Sequence, residues 1–255
     1  MILSNKDNKP VILAIETSSR IGSVALGFGD KIAGIASFSG FMRHSAEIFP
    51  AIEELLAGSG INPNQIEHIY ISNGPGSFTG LRIAAAIAKM VYLANPVKIV
   101  TVSSLDVTAC NAADAVKAAQ KEEKFLLEIG KIQKVASVLD AKRGQFFIAV
   151  YNVIIEGTEV KLDKVVPDYI ISAAEFTAQF ACEQNPIWLL GDGLLFHKQE
   201  FQTDGVNFFE EKYWSPRAEK VYILGRELAG KNQFAEPVGF KPFYLYRPEI
   251  ITKQR

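Results

Sequence analysis

Cysteine and histidine are scarce in this chain, and neither sign of charge is in excess. Its 255 residues include Cys 2 and His 3, and Lys+Arg 27 face Asp+Glu 28, a formal net charge of −1. Cys110 and Cys182 alone make no disulfide framework, so a reducing cytoplasm is the expected home. His44, His68 and His197 each lack a second His, Cys or acid at ligand spacing. No metal or other cofactor is therefore expected. Near-neutral charge excludes a chain that holds nucleic acid or an anionic membrane by its own field, and a partner would have to supply the positive charge. No apolar run approaches the roughly 18 residues that span a bilayer. The start, "MILSNKDNKPVILAIE", lacks the zones of a signal peptide. Neither G-x-x-x-x-G-K-[ST], a strict G-x-G-x-x-G nor G-x-S-x-G occurs, which removes the common nucleotide and serine-nucleophile fingerprints.

What is present is ordinary globular material, 48% hydrophobic, enough for one large core or two modest ones. "VILAIE" predicts a buried strand ending in an acid, Glu16. "GSVALGF" and "KIAGIASF" follow across Gly29-Asp30, a two-residue hairpin signal. A helix is predicted over 45–57, then a strand over 67–72, a glycine-rich turn, a helix over 80–94 and the strand "KIVTV". The second half starts again. "KVASVLD" is another strand ending in an acid, Asp140, followed by "QFFIAVYNV", "GTEVKLDKVV", a helix over 172–182, "PIWLLGDG" and a helix over 215–229. Between the halves, 108–132 reads as helix and connection. The boundary is expected after residue 110, giving an N-terminal lobe 1–110 and a C-terminal lobe 111–255. A duplicated βββαβα unit in two lobes is the plan of the actin/hexokinase/Hsp70 (ASKHA) superfamily, an α/β architecture.

The turn "GPGSFTGLR" contains Gly74, Pro75, Gly76, Ser77, Phe78, Thr79, Gly80, Leu81 and Arg82. Its glycines permit positive φ or close backbone approach, and Ser77 or Thr79 can cap the next helix. Free amides at a helix start can also hold an anion, so a bound phosphate and a ligand-free corner both remain open. The helix after the turn is apolar nearly all round, with Lys89 its one charge after Arg82. One apolar face packs into its own lobe, and the second needs the neighbouring helix or another chain. The docking residues expected on these two helices are Ile48, Phe49, Ile52, Ile83, Ala84, Ala85, Ile87, Ala88 and Val91. Glu16 and Asp140, with Thr17-Ser18-Ser19 and Lys142-Arg143-Gly144, stand where a phosphotransferase of this superfamily would bind metal and phosphate. Each acid is equally explained as the cap of its own turn.

"GPGSFTGLRI" resembles the signature of the TsaB family, also called YeaZ. "ILAIETSS", "RHSAEIFPAIEELL", "VSSL", "VLDAKRGQFFIAVY" and "PFYLYRPEI" match further blocks of that family in order. The resemblance implies a non-catalytic scaffold in tRNA threonylcarbamoyladenosine modification. Its paralogue TsaD would carry out threonylcarbamoyl transfer to the adenosine following the anticodon in ANN-decoding tRNAs. It implies docking on TsaD through helices of the N-terminal lobe, a third partner in the ATPase TsaE, and tRNA met only through the complex; without the partner, the apolar helix face is expected to pair with itself in a homodimer. TsaD holds a metal with two histidines spaced i, i+4, and the matching positions here are Ser104 and Thr108. The family usually has Asp where Glu16 stands, and Arg247 is displaced by one from the family's P-x-Y-L-R tail. The alternatives weighed beside it are an ATP-dependent phosphotransferase using Glu16 and Asp140, and a metallopeptidase.

Overall fold

The computed structural model describes residues 9–38, 44–120, 132–237 and 239–242, with the side chains at 44 and 45 left aside. The His44 side chain, most of the connection 121–131 and the tail with Arg247 lie outside these residues.

The first half supplies β1 (Val11–Glu16), β2 (Gly22–Phe28), β3 (Lys31–Phe38), α1 (His44–Ser59), β4 (Ile66–Ser72), α2 (Phe78–Ala94), β5 (Lys98–Val102) and α3 (Ser104–Ala119). The second supplies β6 (Lys134–Lys142), β7 (Gln145–Glu156), β8 (Glu159–Ser172), α4 (Ala173–Phe180), β9 (Ile187–Leu190), α5 (Leu194–His197), β10 (Val206–Phe208) and α6 (Ala218–Gly230). One sheet has the order β3-β2-β1-β4-β5 and the other β8-β7-β6-β9-β10, the same arrangement strand for strand. In each, the hairpin strands pair antiparallel while the first, fourth and fifth strands run parallel. This is the duplicated two-lobe ASKHA fold.

Successive side chains of a strand point to opposite faces, and both faces of β1 are covered. Leu13 and Ile15 join Ile48, Ile52, Ala84 and Ala88 on one side. Ile12 and Ala14 join Val221 and Tyr222 of α6 on the other. The helix after the fifth strand of each half thus serves the opposite lobe. Leu105 and Ala109 of α3 pack on Leu139, Phe147 and Tyr151 of the second sheet, whereas α6 lies on the first. The chain therefore changes lobes along α3, and the expected boundary at residue 110 falls inside that helix.

The glycine turn after β9 leads into α5, a helix of 4 residues, and not directly into the predicted helix 215–229. That helix begins later, at Ala218, with Pro216 ahead of its first turn. The short strand β10 escapes pattern reading because "VNF" is too brief to show a period.

Polar contacts tie the two exchanged helices together. Asn111 Nδ2 donates to the carbonyls of Tyr213 and Ser215, at 3.0 and 2.8 Å. Asp114 accepts from Arg217 Nη2 at 2.5 Å and from the buried Lys220 Nζ at 2.7 Å. Asp114→Ala leaves Lys220 enclosed without its counter-ion. It should cost about 1–3 kcal/mol, the price of orphaning a buried charged donor that is partly screened on its outer side. Urea denaturation measures this as a lowered midpoint, and an unchanged midpoint contradicts the clamp.

Candidate functional site: a closed cleft and an open helix face

In open α/β sheets, ligands bind beyond the carboxyl ends of the parallel strands where the chain order reverses. Here that place lies between β1 and β4 in one lobe and between β6 and β9 in the other, and the two ends face each other. The residues found there are Glu16 and Ser72 from the first sheet, and Asp140 with the Gly191-Asp192-Gly193 turn from the second.

The protein's own backbone fills the first of these ends. The signature turn folds onto the segment after β1, where Ser77 N donates to Ser18 O at 2.7 Å and Thr17 Oγ1 donates to Gly80 O at 2.8 Å. A Cβ on Gly80 would stand 1.8 Å from Thr17 O, and one on Gly76 would stand 2.4 Å from Ser18 O. Gly76 also has φ +151, so both space and backbone conformation require glycine there. Ser77 caps α2, its hydroxyl accepting from Gly80 N at 3.3 Å. Ser77 N, one of the amides at this helix start, is spent on Ser18 O, so the turn serves here as a packed strand-to-helix corner.

Glu16 is fully buried beneath this contact. Its carboxylate accepts from Ser18 N, Ser18 Oγ and Ser72 Oγ. Burial raises its pKa, and these hydrogen bonds only partly offset that. Across the cleft, Ser19 Oγ donates to Asp192, whose pKa burial also raises. Asp140 is turned away: it accepts from Lys142 N and Lys142 Nζ, both at 2.6 Å. Burial pushes the Asp140 pKa up, but these two bonds outweigh it and hold the carboxyl below its ordinary value. Both acids are thus occupied as turn caps.

The paralogue's metal position does not fit a metal here. Ser104 and Thr108 are buried, Thr108 Oγ1 donates to Ser104 O at 2.8 Å, and two hydroxyls do not compete for a transition ion. Among the described residues, no three His, Cys, Asp or Glu side chains converge on a point. Burial pushes the Cys110 thiol up to about 12, far from a nucleophile's range.

The two N-terminal helices show the other half of the arrangement. Six of the nine expected docking residues, Ile48, Ile52, Ala84, Ala85, Ile87 and Ala88, are buried in the lobe's own core. Ile83 and Val91 are half-buried against the same cluster, and Phe49 is exposed. Those six side chains cannot face a partner, because the apolar strands behind them claim that side of each helix. The second apolar face of α2 is the opposite stripe: Phe78, Arg82, Ala86, Met90 and Leu93, at helical spacing. Met90 is 51% exposed and Leu93 81%. Arg82 stacks on Phe78, its guanidinium carbon 3.7 Å from the ring centroid. The signal was present in the sequence, since Arg82 marks the solvent side and Ala86, Met90 and Leu93 follow it at i+4, i+8 and i+11.

A family model described as TsaD, tRNA N6-adenosine threonylcarbamoyltransferase, matches residues 35–249. The chain is 28% identical over 250 residues to the tRNA threonylcarbamoyladenosine biosynthesis protein TsaB of Bacillus subtilis, covering 95% of this chain and 96% of that one. It belongs to this family, in the TsaB (YeaZ) branch. Escherichia coli TsaB is 31% identical over 142 residues, 55% of this chain and 54% of its own. The solved structure of YeaZ from Pseudomonas aeruginosa superposes with a TM-score of 0.70 at 20% identity, covering 92% of this chain and 100% of that one.

Gly80→Ala should destabilise the protein by about 1–3 kcal/mol or more, because the new methyl group meets backbone that cannot yield. Thermal denaturation checks this, and an unchanged melting point removes the close contact. Glu16 gives a pH test. Its folded pKa is raised, so the native state holds the proton to higher pH than the unfolded chain, whose ordinary value is 4.5. Its contribution to stability is therefore greatest in acid and falls as pH rises through the folded pKa. Glu16→Gln should raise the melting temperature at pH about 8, with the gain shrinking towards pH about 4. A gain that grows on acidification contradicts the assignment.

Proposed function

We propose that this chain works in tRNA threonylcarbamoyladenosine biosynthesis as a non-catalytic subunit that docks a TsaD-like enzyme through the outer faces of α1 and α2. The observation that carries the reading is the backbone contact over the strand ends of the first lobe: Ser77 N lies on Ser18 O, and Gly80 lies against Thr17. The outer stripe of α2 supports it from the other side. Phe78, Met90 and Leu93 form an exposed apolar row on α2, and Phe49 of α1 is exposed as well. The names of the relatives and of the family model supply the partner's identity.

In this reading the partner transfers the threonylcarbamoyl group to the adenosine 3′ of the anticodon in ANN-decoding tRNAs. A TsaE-like ATPase joins the pair, and tRNA is met only within the assembly. The protein works in the cytoplasm. Without the partner, the same apolar row is available to a second copy of the chain, giving a homodimer. Among the described residues no helix is long and apolar enough to cross a membrane.

Met90→Glu combined with Leu93→Glu places charges on the row without touching the core. The double variant should melt within a few degrees of the parent, yet no longer co-purify with the TsaD-like protein when the two are co-expressed. Undiminished co-purification defeats the assignment of this face.

A further inference from the structure

The hairpin between β6 and β7 breaks a local rule. Lys142 pairs with Gln145 across it, leaving Arg143-Gly144 as a two-residue loop. Arg143 has φ +57 and Gly144 φ +71, the pattern of a type I′ turn, whose usual residues are Asn-Gly or Asp-Gly. Lys142 also has φ +71, at a bulge in the strand. Two consecutive long cations thus occupy left-handed backbone that such residues rarely adopt, and strained positions of this kind concentrate where function holds them. Asp140 secures the first of them by accepting from both Lys142 nitrogens. Arg143 is exposed, and among the described residues no hydrogen bond or ion pair engages it.

The same end of the second sheet carries a bare aromatic ring. Phe196 on α5 is 75% exposed, and Arg20 from the other lobe sits over it, 5.1 Å from guanidinium carbon to ring centroid. The next residue, His197, packs edge-on against Phe146, which is the register partner of Asp140. Gly193, just before α5, lies so close to the hairpin strand that its Cβ would meet Asp140 N at 2.9 Å. The ring and the cationic tip are therefore carried by two elements that pack together at this end of the second sheet, the lip of the cleft.

We propose that this lip is an RNA contact, with Phe196 backed by Arg20 stacking an unpaired base and Arg143 holding an adjoining phosphate. An exposed aromatic flanked by arginine is a sequence-tolerant platform for unpaired bases, and an unpaired guanidinium at a turn tip suits a phosphate. The inference rests on the proposed function, which brings the chain to tRNA inside a complex. With a net charge of −1 the chain supplies a local grip, and the partner supplies the remaining attraction.

The test uses the complex of this chain with its TsaD-like partner and fluorescence anisotropy of labelled tRNA over a range of salt. Arg143→Ala should weaken binding and reduce the slope of log K against log salt by about one. Phe196→Ala should weaken binding to tRNA and to a stem-loop by about tenfold, and leave a blunt duplex of the same length unaffected. Unchanged affinity and slope in both variants overturn the proposal, as does an equal loss on duplex and loop. Loss of the partner from either variant on co-purification overturns it in favour of a protein-docking lip. Failure of the parent chain itself to co-purify overturns the functional reading first, and this inference with it.

Discussion

Everything in the first lobe is arranged around one contact: the backbone of the signature turn lying directly on the backbone after β1. It exists because Gly76 and Gly80 have no side chain where Ser18 O and Thr17 O stand. That contact closes the ends of the parallel strands and seals Glu16 beneath it. It also sets where α2 starts, since Ser77 both touches Ser18 and caps the helix. A glycine-rich turn that in other proteins holds phosphate here holds a neighbouring loop.

The consequence reaches the surface through α2. Starting at Phe78, the helix turns Leu81, Ala84, Ala85, Ile87 and Ala88 inward against β1 and β4, and Phe78, Met90 and Leu93 outward. The small inner residues let the helix lie close to the sheet, and the large outer ones remain exposed. A helix with apolar residues on both sides therefore has one side satisfied at home and one exposed. The exchange of α3 and α6 between lobes adds a second constraint, because neither sheet is covered on both faces without a helix from the other half.

Most of the fold was legible in the sequence because its signals are local. β1, β2, β3 and β5 follow from short β-branched runs and a Gly-Asp hairpin, and the duplicated order of elements predicts the duplicated sheets. What was not legible depends on distance along the chain. Nothing local in "SSR" or "GDG" shows that Ser19 would donate to Asp192 across the cleft. Six of the nine expected docking residues lie on the buried side of α1 and α2 for a related reason. Periodicity shows that a helix has two apolar faces, but which one meets the sheet is settled by how β1 and β4 approach it. Only the charged Arg82 marked the outer side, and its neighbours at helical spacing identify the exposed row.

We propose that the chain acts through its surface, because its own backbone packs over the strand ends of the first lobe. Isothermal titration of the purified chain, alone, with Mg-ATP tests this most directly. The account predicts no saturable heat of binding. Micromolar, stoichiometric binding accompanied by nucleotide turnover would contradict it.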